Sequence, residues 1–437
     1  MTSGEYYAIT PGHETAFTVD VSSVLFGPGL LREVGGHARA LAMKRTAVFT
    51  DKRVGRLPHA ADAVQSLREA GVDVVIYDEC RVEPTDQSFM SAARFAVEGK
   101  FDSYISIGGG SVIDTCKAAN LYSSWPADFL DYVNAPIGAA RPVPGTLKPH
   151  IACPTTCGTS SESTGVAVFD LLSMQVKTAI SSTRLRPNLA LVDPTTTYTL
   201  PRNVIASVGF DVLVHAIESY TARPFSMRKK LSDKAARPVV QGANPWSDVG
   251  CEISMRKLSH CMLCAVNDST DHEARDEMML AVTLAGITFN SAGVHIPHAM
   301  SYPVAGLVRN YRPAGYPQDE PMVPHGISVV LNAPAAFRFT AAACPERHLL
   351  CAEFLGADVR GATPSDSGEL LIKYLIGLMR STGMPNGISG VGYSDSDVDV
   401  LSAGAFAQQR LLTNSPCNVS EDDLRELYRS ALHYWEN

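Results

Sequence analysis

The stretch Ser103-Tyr104-Ile105-Ser106-Ile107-Gly108-Gly109-Gly110-Ser111-Val112-Ile113-Asp114-Thr115 decides the reading of the fold. Ser103 to Gly108 predicts a strand, the glycines end it, and the run from Val112 to Ala119 predicts a helix. Glycines at such a junction let the backbone approach a pyrophosphate closely. The new helix adds free N–H groups and the positive end of its dipole. The pattern is not GxGxxG, so the standard dinucleotide fingerprint is not what these residues spell, and by itself the triplet equally describes a tight turn.

Outward from this stretch the chain alternates. An extended segment around Phe17 to Phe26 leads through Gly27-Pro28-Gly29 into a helix ending near Ala42. Strands are expected at Thr46 to Asp51 and Val72 to Tyr77, with helices around Ala60 to Ala70 and Ser88 to Glu98. Strands joined by helical crossovers predict a doubly wound parallel sheet with helices on both faces. Farther on, His150 to Pro154 and Leu189 to Asp193 are strand-like, and Val166 to Phe169 with Gln175 to Ile180 suit a hairpin. Beyond Pro201 apolar residues fall at helical spacing almost to the end. The expected architecture is an α/β dinucleotide-binding domain over residues 1–194 and an all-helical domain over residues 195–437. The segment Pro224 to Pro245 interrupts the helical half with Arg228, Lys229, Lys230, Lys234 and Arg237 among prolines and Gly242, and reads as a solvated loop or a basic lid.

Two features flank the glycine loop in the α/β half. Asp51 ends a strand, where a carboxylate accepts hydrogen bonds from an adenosine ribose and repels a 2′-phosphate, favouring NAD over NADP; capping the following turn is the plainer alternative. Pro154-Thr155-Thr156-Cys157-Gly158-Thr159-Ser160-Ser161-Glu162 also follows a strand, and its hydroxyls suit phosphate or ribose. Lys177 on the expected hairpin would add a positive charge.

In the helical half, Gly209-Phe210-Asp211-Val212-Leu213-Val214-His215-Ala216-Ile217-Glu218-Ser219-Tyr220 places Asp211 and His215 four apart, on one face of a helix. An unpaired Asp among so many apolar neighbours is costly, and a metal ion removes that cost. The alternative is a capped or paired Asp beside a satisfied core histidine. His295, His298 and His325 lie farther on. One carboxylate with three imidazoles suits Fe(II), or Zn(II), and not Mg or Ca. His295 reads as a neighbour of this set rather than a member. Cys261 and Cys264, the lone CxxC, read as reduced thiols on a helix.

Composition narrows the partners. A formal net charge of -8 over 437 residues argues against a general nucleic-acid binder. Ten scattered cysteines suit a reducing compartment. The first residues lack the features of a signal or transit peptide, and no apolar stretch is expected to span a membrane. The expected location is the cytoplasm, or the mitochondrial matrix if a leader has been removed.

Taken together, Gly108-Gly109-Gly110-Ser111 with Asp114, Pro154-Thr155-Thr156 with Gly158-Thr159 and Glu162, Asp211 with His215, His298, and Pro324-His325-Gly326 resemble the iron-containing, group III alcohol dehydrogenases. The resemblance runs in family order over roughly residues 17 to 330. It is tightest with members acting on small hydroxy acids and oxoacids, through His13-Glu14-Thr15-Ala16-Phe17, Val82-Glu83-Pro84-Thr85-Asp86, Phe129 to Val133, Gly242 to Asp248, His298 to Pro303 and Pro345-Glu346-Arg347-His348. It implies that Asp211, His215, His298 and His325 bind the metal. It also implies that Gly108, Gly109, Gly110, Ser111, Asp114, Asp51, Thr155, Thr156, Thr159 and Lys177 serve NAD, and that the working form is a homo-oligomer, a dimer.

The activity implied is metal-assisted hydride transfer to and from a small hydroxy acid or alcohol, with Arg237 and Lys234 as candidate anchors for a substrate carboxylate. A simple NAD-dependent alcohol dehydrogenase is the nearest alternative, and a metal- and NAD-dependent lyase of the dehydroquinate-synthase kind a more distant one. Two positions depart from the family. Tyr302 stands where many members carry a second histidine. Ser160 stands where they usually carry glycine, so a positive φ there would strain it.

Overall fold

The computed structural model describes residues 3–174, 176–233 and 237–436. The chain forms two compact units, Val21–Thr199 on the one hand and Met1–Asp20 with Leu200–Asn437 on the other. The first twenty residues thus belong with the helical unit, whereas the sequence pattern groups them with the α/β half. The division falls between Thr199 and Leu200, a few residues beyond the expected 194.

The α/β unit is built on strands β1 (Ser23–Phe26), β2 (Arg45–Phe49), β3 (Asp73–Tyr77), β4 (Ser103–Gly108), β5 (His150–Pro154) and β8 (Leu189–Val192). They pair in parallel in the order β1-β8-β5-β4-β2-β3. β6 (Val166–Leu171) and β7 (Val176–Ser181) form a separate antiparallel hairpin. Every residue of β4, β5 and β8 is buried, as both faces of a doubly covered parallel sheet require. The period of two assigns the faces. Val48, Ile105, Ile107, Ile151 and Leu191 pack with Val34 and Ala38 of helix α1 (Val34–Ala40) and Ala63 and Leu67 of α2 (Pro58–Glu69). Ala47, Phe49 and Tyr104 pack on the opposite face with Ala92 and Ala96 of α3 (Asp86–Gly99) and Val112, Cys116 and Ala119 of α4 (Gly110–Ser124).

The helical unit contains α5 (Arg202–Thr221), α6 (Pro245–Asn267), α7 (His272–Phe289), α8 (Ile296–Gly306), α9 (His325–Val330), α10 (Ala333–Ala341), α11 (Pro345–Phe354), α12 (Ser367–Thr382), α13 (Val398–Phe406) and α14 (Glu421–Ser430). α5 is buried on all sides, the environment of a helix with no polar face. It ends at Thr221, with extended Ala222 two residues ahead of Pro224, whose ring disfavours helix in the preceding residue. By length and mean hydropathy, 1.2, α5 could cross a membrane, contrary to the expectation from sequence; with 89% of that window buried in the protein, it is a core helix.

The segment after α5 is indeed not a continuous helix. It holds a 3-10 turn at Phe225–Met227, and Lys229 bridges His13 of the N-terminal strand-like strap. Glu14 N–H donates to Arg228 O at 2.7 Å, and the Arg237 guanidinium donates to both Glu14 carboxylate oxygens at 3.0 and 3.2 Å. Phe17 and Tyr7 pack their rings on Phe225. Buried Arg347 of α11 ties this assembly down: its guanidinium lies over the rings of Tyr220 at 3.8 Å and Tyr6 at 4.3 Å, donates to Tyr220 O, and pairs with Asp248, which also accepts from Tyr7 Oη at 2.7 Å.

Candidate metal centre and dinucleotide loops

Three elements of the helical unit bring the expected ligands together. α5 supplies Asp211 and His215 one turn apart. α8 starts at Ile296 with Pro297 in its first turn, where the missing N–H costs nothing, so His298 sits at the buried start of that helix. α9 starts at His325, immediately after extended Pro324. Around Asp211 Oδ1 stand His215 Nδ1 at 3.7 Å, His298 Nε2 at 3.7 Å and His325 Nε2 at 3.6 Å. Ligand atoms of Asp211, His298 and His325 all lie within 4.8 Å of one another; His215 adjoins this trio, its ring stacked between His298 at 4.5 Å and Phe289 at 4.6 Å.

The donor set fits a cation. Asp211 Oδ1, His215 Nδ1 and His298 Nε2 are buried with no hydrogen-bond partner among the described residues. Orphaned polar atoms are expensive singly, and three facing one point are more so. A tetrahedral ion with ligands at about 2.0–2.1 Å needs edges of about 3.4 Å between them, and the three edges from Asp211 Oδ1 are slightly wider. The centre is most open on the His325 side, whose side chain is 23% exposed against 2% for Asp211.

Electrostatics point the same way. Burial alone would push the Asp211 carboxyl up, but the imidazoles of His215, His325 and His298 hold it far below the usual carboxylate range. Burial pushes His215 down to about 4. Burial also works against the charged form of His298, yet Glu218 and Asp211 hold it up at about 10.

Gly326 makes the α9 position possible. A Cβ built on it would lie 2.0 Å from Ser207 O of α5, a backbone atom with nowhere to go. Gly326→Ala is therefore expected to push α9 away from α5 and His325 from Asp211, costing about 1–3 kcal/mol in stability together with metal affinity. Unfolding midpoints and metal titration of the variant would read both, and unchanged values would show that α9 tolerates the methyl.

His295 is near but differently engaged. Its Nδ1 accepts from Ile296 N–H at 2.8 Å and its Nε2 lies 3.2 Å from Thr221 Oγ1, so it turns no nitrogen toward Asp211. Tyr302 is buried with its ring 6.4 Å from that of His325. Arg237 is held by Glu14, and Lys234 lies outside the described residues. A residue that sequence reasoning passed over is Glu218, fully buried on α5 and in contact with His298. Its signal was the spacing: 211, 215 and 218 fall on one helical face.

In the α/β unit the two loops expected to serve the dinucleotide do meet. Thr155 N–H donates to Gly108 O at 3.0 Å. Cβ atoms on Gly109 and Gly110 would fall 3.1 Å and 2.4 Å from the Oγ1 atoms of Thr156 and Thr159, so these glycines are what allow the loops to pack. No side chain caps the N-terminus of α4, leaving its first amides for an anion, and Thr155 Oγ1 is buried without a partner among the described residues. Ser160 has φ 51° and ψ 29°, the left-handed conformation that glycine would adopt without strain.

Three expected cofactor residues are occupied internally. Asp51 Oδ1 accepts from the N–H groups of Arg53 and Val54 at 2.8 and 2.9 Å, the capping alternative. Asp114 accepts from Val168 N–H at 2.9 Å and pairs with Lys117 at 3.3 Å. Lys177 is buried between Glu83 at 2.7 Å and Asp170 at 2.9 Å. Lys117, unremarked in the sequence because it sits in an apolar helical run, donates to Ser161 Oγ, Thr164 Oγ1 and Val166 O and so anchors the polar loop.

Two family models match the chain: iron-containing alcohol dehydrogenase over residues 22–194, and the C-terminal part of the Fe-containing alcohol dehydrogenase family over residues 205–432. The chain belongs to the iron-containing alcohol dehydrogenase family. Among members of this family, mitochondrial hydroxyacid-oxoacid transhydrogenase of Bos taurus is 46% identical over 419 residues, 95% of this chain and 90% of that protein. The crystal structure of 1,3-propanediol oxidoreductase superposes with a TM-score of 0.83 at 25% identity, over 95% of this chain and all of that one. Alcohol dehydrogenase from Oenococcus oeni gives 0.82 at 27%, with the same coverage. The protein is accordingly an oxidoreductase whose parallel-sheet and all-helical parts are those of the iron-containing alcohol dehydrogenases.

Proposed function

We propose that the protein exchanges hydride between small hydroxy acids and oxoacids through NAD, oxidising 4-hydroxybutyrate to succinate semialdehyde and reducing 2-oxoglutarate to 2-hydroxyglutarate. The observation carrying this reading is the buried point on which Asp211, His215, His298 and His325 converge, in a chain 46% identical to a hydroxyacid-oxoacid transhydrogenase. The sum balances without an external oxidant: the hydride and proton lost by one substrate are those gained by the other.

Those four residues would hold Fe(II), or Zn(II), and Gly108 to Ser111 with Thr155, Thr156 and Thr159 would seat the dinucleotide. When bound, the divalent ion supplies Lewis-acid polarisation of a substrate oxygen and NAD carries the hydride. The chain's own part is positional. Asp211 is the one carboxylate of the set, so with three neutral imidazole ligands a bound divalent ion would keep net positive charge. Phe289 stacks on His215 and Tyr302 lies beside His325, an apolar and a phenolic wall to the centre. Asp114 and Lys117 brace the polar loop through Ser161, Lys177 ties the hairpin to Glu83, and Asp51 would face the ribose. Ten free thiols suit a reducing compartment, cytoplasmic or, as the Bos taurus protein's name has it, mitochondrial.

Metal-loaded protein mixed with 4-hydroxybutyrate and 2-oxoglutarate, with no added NAD, is expected to form both products. NADH accumulation on addition of NAD, with no product in its absence, would instead establish a dehydrogenase that releases its cofactor every cycle.

A further inference from the structure

We infer that Glu218 is a positioning residue that fixes the tautomer of His298 and so turns that histidine's Nε2 lone pair toward Asp211. The inference rests on the metal reading of this site.

Glu218 is fully buried, and a carboxylate can only accept hydrogen bonds. Three donors converge on it. Oε1 accepts from the backbone N–H groups of His295 at 2.8 Å and His298 at 3.3 Å, the first amides of α8. Oε2 is in short contact with His298 Nδ1. His295 cannot be a fourth. Its Nδ1 already accepts from Ile296 N–H, and its Nε2 faces Thr221 Oγ1, whose own proton goes to Ile217 O at 2.8 Å. Glu218 therefore has one side-chain donor among the described residues, and His298 Nδ1 must carry the proton. In a neutral imidazole that leaves the lone pair on Nε2, the atom 3.7 Å from Asp211 Oδ1 and without a hydrogen-bond partner among the described residues.

Glutamine at 218 keeps the shape and breaks this logic. Its single oxygen can satisfy either the two α8 amides or His298 Nδ1–H. If it serves the amides, its NH2 faces Nδ1 and forces the ring proton onto Nε2, closing the ligand atom. If it serves His298, its NH2 opposes two N–H groups. Outer partners of metal-bound histidines typically set affinity by about 10- to 100-fold, and Glu218→Gln is expected to lose that much.

The test titrates zinc against a chromophoric chelator in full-length wild type and Glu218→Gln, well below the melting temperature of both metal-free proteins. A second measurement needs no variant: 15N spectra of zinc-loaded wild type labelled in histidine should give His298 a protonated Nδ1 and a metal-bound Nε2. Affinity loss in the variant with retained melting behaviour supports the assignment. Equal zinc affinity in the two proteins, or an unprotonated Nδ1 in the loaded wild type, overturns it and leaves the metal site standing. A wild-type chain that takes up no zinc overturns both.

Discussion

His298→Ala is expected to give a protein that retains no metal after chelator treatment and turns over at least about 100-fold more slowly, since loss of an outer partner alone can cost that much. The substitution removes one of three imidazoles around Asp211 and also takes from Glu218 its side-chain donor, the only one among the described residues. Burial would then act on Glu218 without the neighbour that now holds its carboxyl down, so part of the damage should appear as lost stability. Metal content by elemental analysis, read beside the two-substrate assay, checks both. One metal per chain with near-normal turnover would remove His298 from the ligand set.

Arg347→Met is expected to destabilise the helical unit by about 3–5 kcal/mol, the usual cost of leaving half of a buried ion pair behind. Asp248 would be left buried with Tyr7 as its side-chain partner among the described residues, Tyr220 O would lose its donor, and the rings of Tyr6 and Tyr220 would lose the cation between them. Denaturant unfolding should register the loss. Adding Asp248→Asn should restore part of it, because the uncompensated charge goes too. A cost below about 1 kcal/mol for Arg347→Met would mean that the cluster is solvated more than its burial indicates. Since the cluster closes over the end of α5, metal affinity in this variant would also show whether the anchor is felt at Asp211.

What could be read from sequence was what repeats locally. The alternation around β4, with Ile105 and Ile107 on one face and Tyr104 on the other, by itself announces a two-faced parallel sheet. Asp211 and His215 declare themselves by one helical turn, and Ser160 by occupying a glycine position that does prove left-handed. From the residues alone His298 and His325 were candidates beside His295, and family motifs singled them out, because nothing local marks a histidine at a helix start as facing a residue nearly a hundred positions away. Glu218 went unread amid apolar neighbours although it lies on the same face as the ligands. The hydropathy of α5 cannot distinguish a core helix from a membrane helix, since both demand apolar side chains all round. The allegiance of the first twenty residues has no periodic signature at all: it is carried by single long-range contacts such as Tyr7 with Asp248 and Glu14 with Arg237.

Those contacts also set an order of events during synthesis. Tyr6, Tyr7 and Glu14 leave the ribosome ahead of the whole of Val21–Thr199, yet Arg237, Asp248 and Arg347 are made only after it. The α/β unit can fold while the strap still has nothing to bind, as domains generally do during translation. Docking of the strap is then among the last steps of maturation, and the segment after α5 is tied down only when it has happened.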